Sequence, residues 1–318
     1  MFRTLTSSPA RVAVICAGLA LGSPGSLAAA EKAAFSSATE AYRSGLTALA
    51  AGRTGDAVTA LGVAAEGGVI GARLKLADIY AHGTGVQKDA VKAFEYYRSI
   101  ADQYADISPR HPIAPYVAKA FVALAGYYRE GIPGRDLAAS PARASRLLHH
   151  AASYFGDAEA QYQLARMYLT GEGVNRNPRL AVNWLANASQ KQHAASQALL
   201  GDLLWRGIDD IQRQPLKGLA LLSLARQNAA GSEDAEWIEE VSAKALSQAE
   251  PNQLELASRL YDKWRGPADR APNMASAPAI AFDAAGLESL NPAPVVPVEA
   301  VATTPVPEAS AAPNAAVR

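Results

Sequence analysis

The chain has 318 residues with 30 basic and 30 acidic side chains, so its formal net charge at neutral pH is zero. This balance gives no general attraction to nucleic acid or to an anionic membrane surface, and the length suffices for one or two ordinary domains. Aromatic residues make up only 7% of the chain. Alanine is abundant, and it favours helices that pack closely. We therefore expect a mainly α-helical protein that does not bind nucleic acid.

The first predicted element is a secretory signal peptide over residues 1–30. Arg3 and Arg11 precede the apolar run "VAVICAGLALG", and the small residues "SPGSLAAA" follow it; this order is typical of a signal peptide. Cleavage is expected after Ala30, with Ala28 as the alternative. An uncleaved anchor is disfavoured because the apolar run is short for a bilayer. The predicted location is the periplasm, with no transmembrane segment in the mature chain.

The single cysteine, Cys16, lies inside this segment. Ile15 precedes it and is a poor match to the small residue expected before a lipid-modified cysteine, so a lipoprotein is not expected. The mature chain would then contain no disulfide. Its stability in an oxidising compartment must come from packing.

A first pair of short helices is predicted around a turn at Gly52 to Gly55, and it resembles a tetratricopeptide repeat. The apolar positions with helical spacing are Tyr42, Leu46 and Leu49 before the turn, and Val58, Leu61 and Ala65 after it. The pattern indicates two helices that face each other.

Two similar glycine-rich stretches come next, "YAHGTGVQKDAVKAFEY" at residues 80–96 and "YLTGEGVNRNPRLAVNW" at residues 168–184. A phosphate-binding loop would follow a strand, whereas here the glycines follow residues with helical spacing. Gly83 and Gly171 are therefore interpreted as helix ends, where a left-handed residue is needed. The recurrence at a fixed interval indicates a repeat protein.

Two further copies are recognised between and after these stretches. Tyr128 and Gly131 mark a second copy with a longer loop, and Trp205 and Gly207 mark a fourth. Each copy predicts a helix, a turn and a second helix, the building unit of an α-solenoid. The proposed structural repeat positions are Tyr80, Gly83, Gly85, Ala93, Tyr128, Gly131, Tyr168, Gly171, Gly173, Ala181 and Trp184.

The second helix of each copy begins with a capping residue. Asp89, Ser140 and Asn177 stand at equivalent positions, and proline follows the last two. Such side chains accept a backbone N–H at a helix start, and proline suits the first helical position. Two closing helices are expected, one carrying Ile238, Val241 and Ala245 and the second, starting at Pro251, carrying Leu254, Ala257 and Tyr261.

The C-terminal residues differ in composition from the rest. Residues 266–318 contain nine prolines, five acidic residues and two basic residues. A segment of this composition is expected to be disordered. The predicted organisation is thus a signal peptide (1–30), an all-α solenoid of about five helix pairs (31–265) and a Pro/Ala-rich tail (266–318).

No catalytic or cofactor-binding group is apparent. The five histidines, His82, His111, His149, His150 and His193, show no metal-binding spacing and are interpreted as ordinary surface residues. The adjacent pair diverges by roughly 100° on a helix. A minority interpretation is a pH sensor, since histidine titrates near neutrality. Glu236, Glu239 and Glu240 are expected on a solvated helix face. We expect no enzyme activity, cofactor or metal.

The repeat pattern resembles the Sel-one-like repeat family, carried by Ala72 to Tyr96 and Ala160 to Trp184. This resemblance implies helix-turn-helix repeats that present surfaces to other proteins. It is specific for the fold and not for one function.

A narrower resemblance concerns "GARLKLADIYAHGTGVQKDAVKAFEYYRSIAD", "ALAGYYREGIP" and "FGDAEAQYQLARMYLTGEG", in this order after a signal peptide. This arrangement is similar to the periplasmic exopolysaccharide-production negative regulators of alphaproteobacteria, the ExoR family. The resemblance implies a protein that binds the periplasmic domain of a two-component sensor histidine kinase and holds it inactive. It also implies proteolysis under acid conditions, with a periplasmic protease as a further partner.

The candidate protein-binding residues are polar positions on the first helices, which usually line the concave side of such solenoids: Lys75, Asp78, Gln163 and Arg166. The alternative for each is a solvated side chain with no partner. The alternative function is a structural adaptor in cell-envelope or secretion-complex assembly. A hydrolase like the cysteine-rich members of the wider repeat family is disfavoured because the mature chain lacks disulfides.

Overall fold

The computed structural model describes residues 35–134, 137–209 and 211–265. The predicted signal peptide over residues 1–30 and the predicted tail over residues 266–318 lie outside these ranges, so both stay predictions. The same holds for the outer limits of the predicted solenoid.

The described part of the chain is built from twelve helices and contains no β-strand, only two isolated bridges. This confirms the all-α fold over these ranges. In chain order the helices are α1 (Ala38–Ala50), α2 (Thr54–Glu66), α3 (Ile70–His82), α4 (Ala90–Tyr104), α5 (Ala114–Glu130), α6 (Pro141–Ser153), α7 (Ala158–Thr170), α8 (Pro178–Gln190), α9 (Ala194–Arg206), α10 (Pro215–Asn228), α11 (Ala235–Gln248) and α12 (Pro251–Arg265).

The first ten helices pack as five consecutive pairs, α1 with α2 through α9 with α10. Each pair also packs against the next, because α2 contacts α3, α4 contacts α5, α6 contacts α7 and α8 contacts α9. The closing helices α11 and α12 both lie against α10. The arrangement is the α-solenoid that the repeat predicts.

The first helices of neighbouring pairs also approach one another. Helix α3 contacts α5, α5 contacts α7, and α9 contacts α11. These contacts lie on the side of the solenoid that the first helices form. We call this the inner side of the solenoid.

Glycines end the first helices, as the sequence predicts. Gly171 caps α7 in the left-handed conformation, with φ 81° and ψ 15°, and its N–H donates to the Met167 carbonyl. Gly83 caps α3 in the same way. Gly131 and Gly207 also have positive φ, but their ψ angles of 178° and 156° are extended. The two isolated bridges begin at the residues that follow them.

The helix caps agree with the sequence at two of three positions. The Asp89 side chain accepts from the N–H groups of Val91 and Lys92, and Asn177 accepts from Leu180. Ser140 occupies the cap position of α6, but its hydroxyl makes no capping hydrogen bond. The prediction that the Ser140 side chain caps α6 is therefore wrong. Pro141, at the first helical position, is the remaining sequence feature that marks the start of this helix.

The core is continuous along the stack. One cluster extends from Ile70 in α3 to Met167 in α7, and another joins α7, α8, α9 and α10. Tyr168 and Trp184 pack against both clusters. The small repeat residues Ala93 and Ala181 have no exposed surface, which fits their predicted role of letting the paired helices approach closely.

Candidate protein-binding surface

A groove of about 640 Å³ crosses the inner side in the C-terminal half of the solenoid. It is lined by residues of the first helices α7 and α9, of the closing helix α11 and of the turn before α11. The lining residues are Glu159, Tyr162 and Arg166 of α7, Leu199 of α9, Glu233 and Asp234 before α11, and Trp237 of α11. We call this the inner groove.

The side chain of Arg166 lies over a ring inside the groove. Its guanidinium carbon is 5.7 Å from the centroid of the Tyr162 ring, a cation–π arrangement. The two residues are four positions apart on α7, so they share one helix face. Arg166 is exposed, which leaves its planar donors accessible to a carboxylate.

The indole of Trp237 is held in place at the other wall. Its Nε1–H donates to an Asp234 carboxylate oxygen at 2.8 Å. The same side chain also lines an adjoining recess of about 340 Å³ between α9 and α11. The accessible surface therefore continues past Trp237, toward the Asp202–Arg206 ion pair and Lys244.

A hydrogen-bonded cluster forms the base of the groove at α7. The Ser196 backbone N–H donates to Nδ1 of His193, so Nε2 carries the proton and donates to Glu159 at 3.0 Å. The Gln163 amide donates to the other Glu159 oxygen at 2.7 Å. Burial, the largest single influence, would raise the pKa of Glu159, but the hydrogen bonds from His193 and Gln163, together with nearby positive charge that includes Arg166, hold it below its usual range.

Of the four candidate residues predicted from the sequence, Arg166 lines the inner groove and Gln163 lies beside it. Asp78 is engaged inside the fold, because it accepts from the Tyr97 hydroxyl at 2.6 Å and pairs with Lys119 Nζ at 2.7 Å. This contact joins α3, α4 and α5. Burial, with the hydrogen bond to Asp78, raises the pKa of Tyr97 far above its ordinary value. Lys75 is exposed on α3, two pairs away from the groove.

Tyr162, Leu199 and Trp237 were not singled out from the sequence. Tyr162 lies beside the core-facing Gln161 and Leu164 and is only partly buried. Trp237 belongs to a closing helix outside the repeat pattern. For Tyr162 and Trp237 the sequence offered one indication, since each is an aromatic residue at a position that the repeat does not need for its core.

The repeat aromatics serve packing, as expected. Tyr128 is buried, and Tyr80 stacks on Tyr96 with centroids 6.2 Å apart. Trp184 meets the edge of His149 at 6.0 Å.

The histidines are less uniform than the sequence suggested. His82 is exposed, but His111, His149, His150 and His193 are partly buried, so the expectation of fully exposed histidines does not hold for these four. Burial lowers the pKa of both His149 and His150. The two rings diverge, since His149 faces Trp184 while His150 packs against Phe121 at 4.8 Å.

Within the described ranges, no group of three or more His, Cys, Asp or Glu side chains is arranged to hold a metal ion. None of the twelve described helices combines the length and the apolar character required to cross a bilayer.

Comparison with known proteins gives the same repeat units. The Sel1 repeat profile matches residues 71–104, 158–193 and 194–228. These ranges correspond to α3–α4, α7–α8 and α9–α10. The pair α5–α6, whose corner is longer, lies outside them.

Two curated relatives share one description. An exopolysaccharide production negative regulator of Rhizobium meliloti (strain 1021) is 34% identical over 257 residues, which cover 78% of this chain and 91% of the relative. A protein of the same description from Rhizobium leguminosarum bv. viciae is 36% identical over 208 residues, covering 65% of this chain and 75% of the relative.

Among solved structures, a Sel1 repeat protein from Oxalobacter formigenes superposes with a TM-score of 0.56. Its sequence is 22% identical, and the match covers 77% of this chain and 89% of that one. At this identity the likeness concerns the fold alone.

Proposed function

The chain belongs to the Sel1-repeat family of exopolysaccharide production negative regulators, and we propose that it acts in the periplasm by binding the sensing domain of a two-component histidine kinase. In this role it is a binding protein and not an enzyme. Its effect on exopolysaccharide production depends on whether it binds the active or the inactive conformation of the kinase.

The inner groove is the observation that carries the binding part of this proposal. It presents Tyr162 and Arg166 on α7 and Trp237 on α11. Tyrosine, arginine and tryptophan are the residue types that contribute most to protein–protein affinity. Both aromatic rings are fixed by neighbours before binding, since Arg166 lies over Tyr162 and Asp234 accepts from Trp237. Preorganised side chains lose little conformational entropy on binding.

The charges of the groove restrict the partner further. Glu159, Glu233 and Asp234 surround Arg166, the one cation among the described residues that line it. A complementary partner segment presents basic groups to these carboxylates and one acidic group to Arg166. Complementary charges of this kind determine specificity and association rate more than affinity.

Inhibition then requires differential binding. A ligand shifts a two-state protein only by the difference between its affinities for the two states. The groove must therefore fit the kinase domain in its inactive conformation better than in its active one. Release of the regulator would return the kinase to its active state.

The test is capture of the kinase's purified periplasmic domain by the immobilised full chain at neutral and acidic pH. We expect capture at neutral pH, with Arg166→Ala and Trp237→Ala each weakening it by roughly tenfold, the loss that one central contact of about 1.4 kcal/mol produces. No capture at either pH would remove the kinase from the proposal.

Two surface variants on α12 serve as controls. Arg259 is exposed and pairs with Glu255 four residues earlier, so Arg259→Ala removes an arginine of similar exposure to Arg166. Trp264 is 40% exposed, so Trp264→Ala removes an indole outside the inner groove. Both controls should capture the kinase domain as well as the unaltered chain does.

The structural adaptor is tested separately by sedimentation with purified cell wall. A regulator stays in the supernatant, whereas an envelope adaptor sediments. The periplasmic location is tested by fractionating cells and locating the mature chain. A deletion strain with unchanged mucoidy and motility would speak for the adaptor and against the regulator.

A further inference from the structure

A second groove, of about 430 Å³, lies between α8, α9 and α10 and opens at the end of α12. Its floor is apolar, since Leu200, Leu221 and Leu224 are almost fully buried. Its lining also carries five side-chain amides, those of Gln190, Gln192, Gln227 and Asn228 toward the rim and that of the buried Gln197. We call it the amide groove.

Several of these amides are oriented by internal hydrogen bonds. Asn228 donates to the Gln197 oxygen at 2.8 Å, and the Gln197 amide donates to the Ser189 carbonyl at 3.2 Å. The Tyr261 hydroxyl donates to the Gln227 oxygen at 2.8 Å. This last contact occupies the acceptor of Gln227 and leaves its NH₂ group as a donor at the rim.

The groove therefore combines an apolar floor with a polar rim, at which the NH₂ group of Gln227 faces outward as a donor. Trp264 and Arg265 complete the wall at the end of α12, adding an exposed indole and a guanidinium. Such a lining fits an extended peptide that carries apolar side chains and whose carbonyls accept from Gln227 and Arg265. A proline-rich segment has this property, because proline keeps its carbonyl and lacks the N–H, and aromatic-lined grooves are a common way to bind one.

The chain itself contains such a segment. Residues 291–299 read "NPAPVVPVE", with prolines at 292, 294 and 297 and valines between them. The tail starts directly after Arg265, which lines the groove. The 25 intervening residues can span up to roughly 80 Å when extended, far more than the length of the groove requires.

We propose that the amide groove binds residues 291–299 of the same chain, with the proline and valine side chains on the leucine floor and the carbonyls accepting from the rim amides. Glu299 at the end of the segment supplies a carboxylate for Arg265. Because the segment is tethered next to the groove, its effective concentration is high enough for a weak contact to be occupied.

This contact is independent of the inner groove and of the kinase. The proposed contact gives the exposed Trp264 and the amide-rich rim a binding partner within the chain. It also places the tail against α8, α10 and α12. A protease or a second protein that engages the tail would have to displace it from the groove first.

The experiment places a photo-crosslinking amino acid at Gln190, an exposed residue at the end of α8, in the full-length chain. An equal mixture of ¹⁴N- and ¹⁵N-labelled protein is irradiated, and the crosslinked peptides are identified by mass spectrometry. We expect crosslinks from position 190 to residues 291–299 within chains of one isotope. The same amino acid at Glu95, exposed on α4, is the matched control and should not reach this segment.

Two sets of substitutions test the chemistry. Replacing the three prolines of the segment with alanine, or Trp264 with alanine, should each reduce the crosslink yield severalfold. Trp264 is 40% exposed, so its replacement removes no core side chain. Equal yields from positions 190 and 95 would overturn the proposal. Crosslinks found only between chains of different isotopes would also overturn it, because the occupant would then be a second copy.

Discussion

Gly173 illustrates how one residue can fix the distance between two repeats. It has a positive φ of 69°, and a Cβ added to it would clash with the carbonyl carbon of Pro141. Pro141 begins α6, the second helix of the preceding pair. The absence of a side chain thus lets the corner after α7 touch the start of α6.

Gly173→Ala should therefore destabilise the fold by about 2–3 kcal/mol, because it adds both backbone strain and a clash with main-chain atoms. The measurement is the free energy of unfolding from urea denaturation. Gly52 has a similar φ of 71° but open space around it, so Gly52→Ala should cost only the strain, about 1 kcal/mol.

Gly126 is the third member of this comparison. It lies inside α5 with open space at its Cβ position, so Gly126→Ala should stabilise the fold by about 0.5–1 kcal/mol. Equal effects of the three substitutions would show that neither the positive φ nor the contact with Pro141 controls the cost of adding a side chain.

His150 is partly buried and enclosed by aromatic rings. Its ring contacts Phe121, Tyr154 and Phe155, and its Nε2 lies 3.1 Å from the Ala105 carbonyl. Burial lowers its pKa from the ordinary 6.5, although the Ala105 carbonyl and the nearby Asp106 act in the opposite direction. The pKa of His149, which packs against Trp184, is lowered by burial alone.

A lowered folded-state pKa determines how stability changes with pH. Well above pH 6.5 both histidines are neutral in either state and contribute nothing. As the pH falls below 6.5, the unfolded chain binds protons that the fold excludes, so the free energy of unfolding decreases. The slope is at most about 1.4 kcal/mol per pH unit for each histidine.

The double variant His149→Gln and His150→Gln should lose less thermal stability between pH 7 and pH 5 than the unaltered chain does. These two pH values lie on either side of the ordinary histidine pKa. The midpoint of thermal unfolding, followed across this range, is the measurement. His82→Gln serves as the control, since His82 is exposed on the last turn of α3. An unchanged pH profile in the double variant would exclude these two residues as the source of any acid sensitivity.

At the scale of single elements, the helix starts differ in how they are stabilised. The carboxylate of Asp89 accepts from two backbone N–H groups at 3.1 and 3.0 Å. Ser140 at the equivalent position of α6 makes no such bond, and its helix starts with a proline instead. The two residues looked equivalent in the sequence because capping residues are recognised by type, whereas the hydrogen bond depends on the side-chain rotamer.

Asp89→Ala should consequently cost about 1 kcal/mol of unfolding free energy, the usual loss for a helix cap. Ser140→Ala should change it by less than roughly 0.5 kcal/mol. Urea denaturation of both variants provides the comparison. A loss at Ser140 as large as that at Asp89 would show that the serine hydroxyl does cap α6.

The corners also divide into two kinds. Gly83 and Gly171 are left-handed, while Gly131 and Gly207 lead into short bridged turns, Ile132 to Leu137 and Ile208 to Ile211. The sequence located all four corners, since glycine follows each helix. It did not distinguish the two types, which differ in ψ and in the residues that follow.

At the scale of the whole molecule, the stability of each helix pair depends on the pairs that pack against it. Phe121 of α5 is fully buried in the cluster that extends from α3 to α7, and it touches His150 of α6 and Phe155. In a solenoid, each repeat depends mainly on its immediate neighbours. A defect at Phe121 should therefore remain local.

Phe121→Leu should cost about 1–2 kcal/mol and increase amide hydrogen exchange in α3 to α7. Exchange in α10 and α12, which pack against each other at the far end of the stack, should be unchanged. Hydrogen-exchange mass spectrometry resolves the two regions. The control is Leu256→Ala, at a 43% exposed position of α12, which should leave amide exchange around α5 unaltered. If Phe121→Leu increased amide exchange uniformly along the chain, each repeat would not depend mainly on its neighbours.

The binding surface was only partly accessible from the sequence. Arg166 was placed on the inner side because first helices line that side, and it does line the inner groove. Asp78 had the same expected position but is held by Tyr97 and Lys119. Lys119 is 41 residues away, so no local pattern indicated that Asp78 was already engaged.

The sequence by itself determined the helices, their caps at Asp89 and Asn177, the four glycine corners and the repeat that stacks them. These features depend on chemistry within a few residues of each other, such as a backbone N–H and the side chain three positions before it. Only the tertiary structure decided that Tyr162, Leu199 and Trp237 share one groove and that His150 is enclosed by aromatic rings. The groove joins residues from different repeats, whereas the rings around His150 come from α5 and from the residues that directly follow α6, within one pair. Both groupings depend on how the helices pack against one another, which no short stretch of sequence specifies.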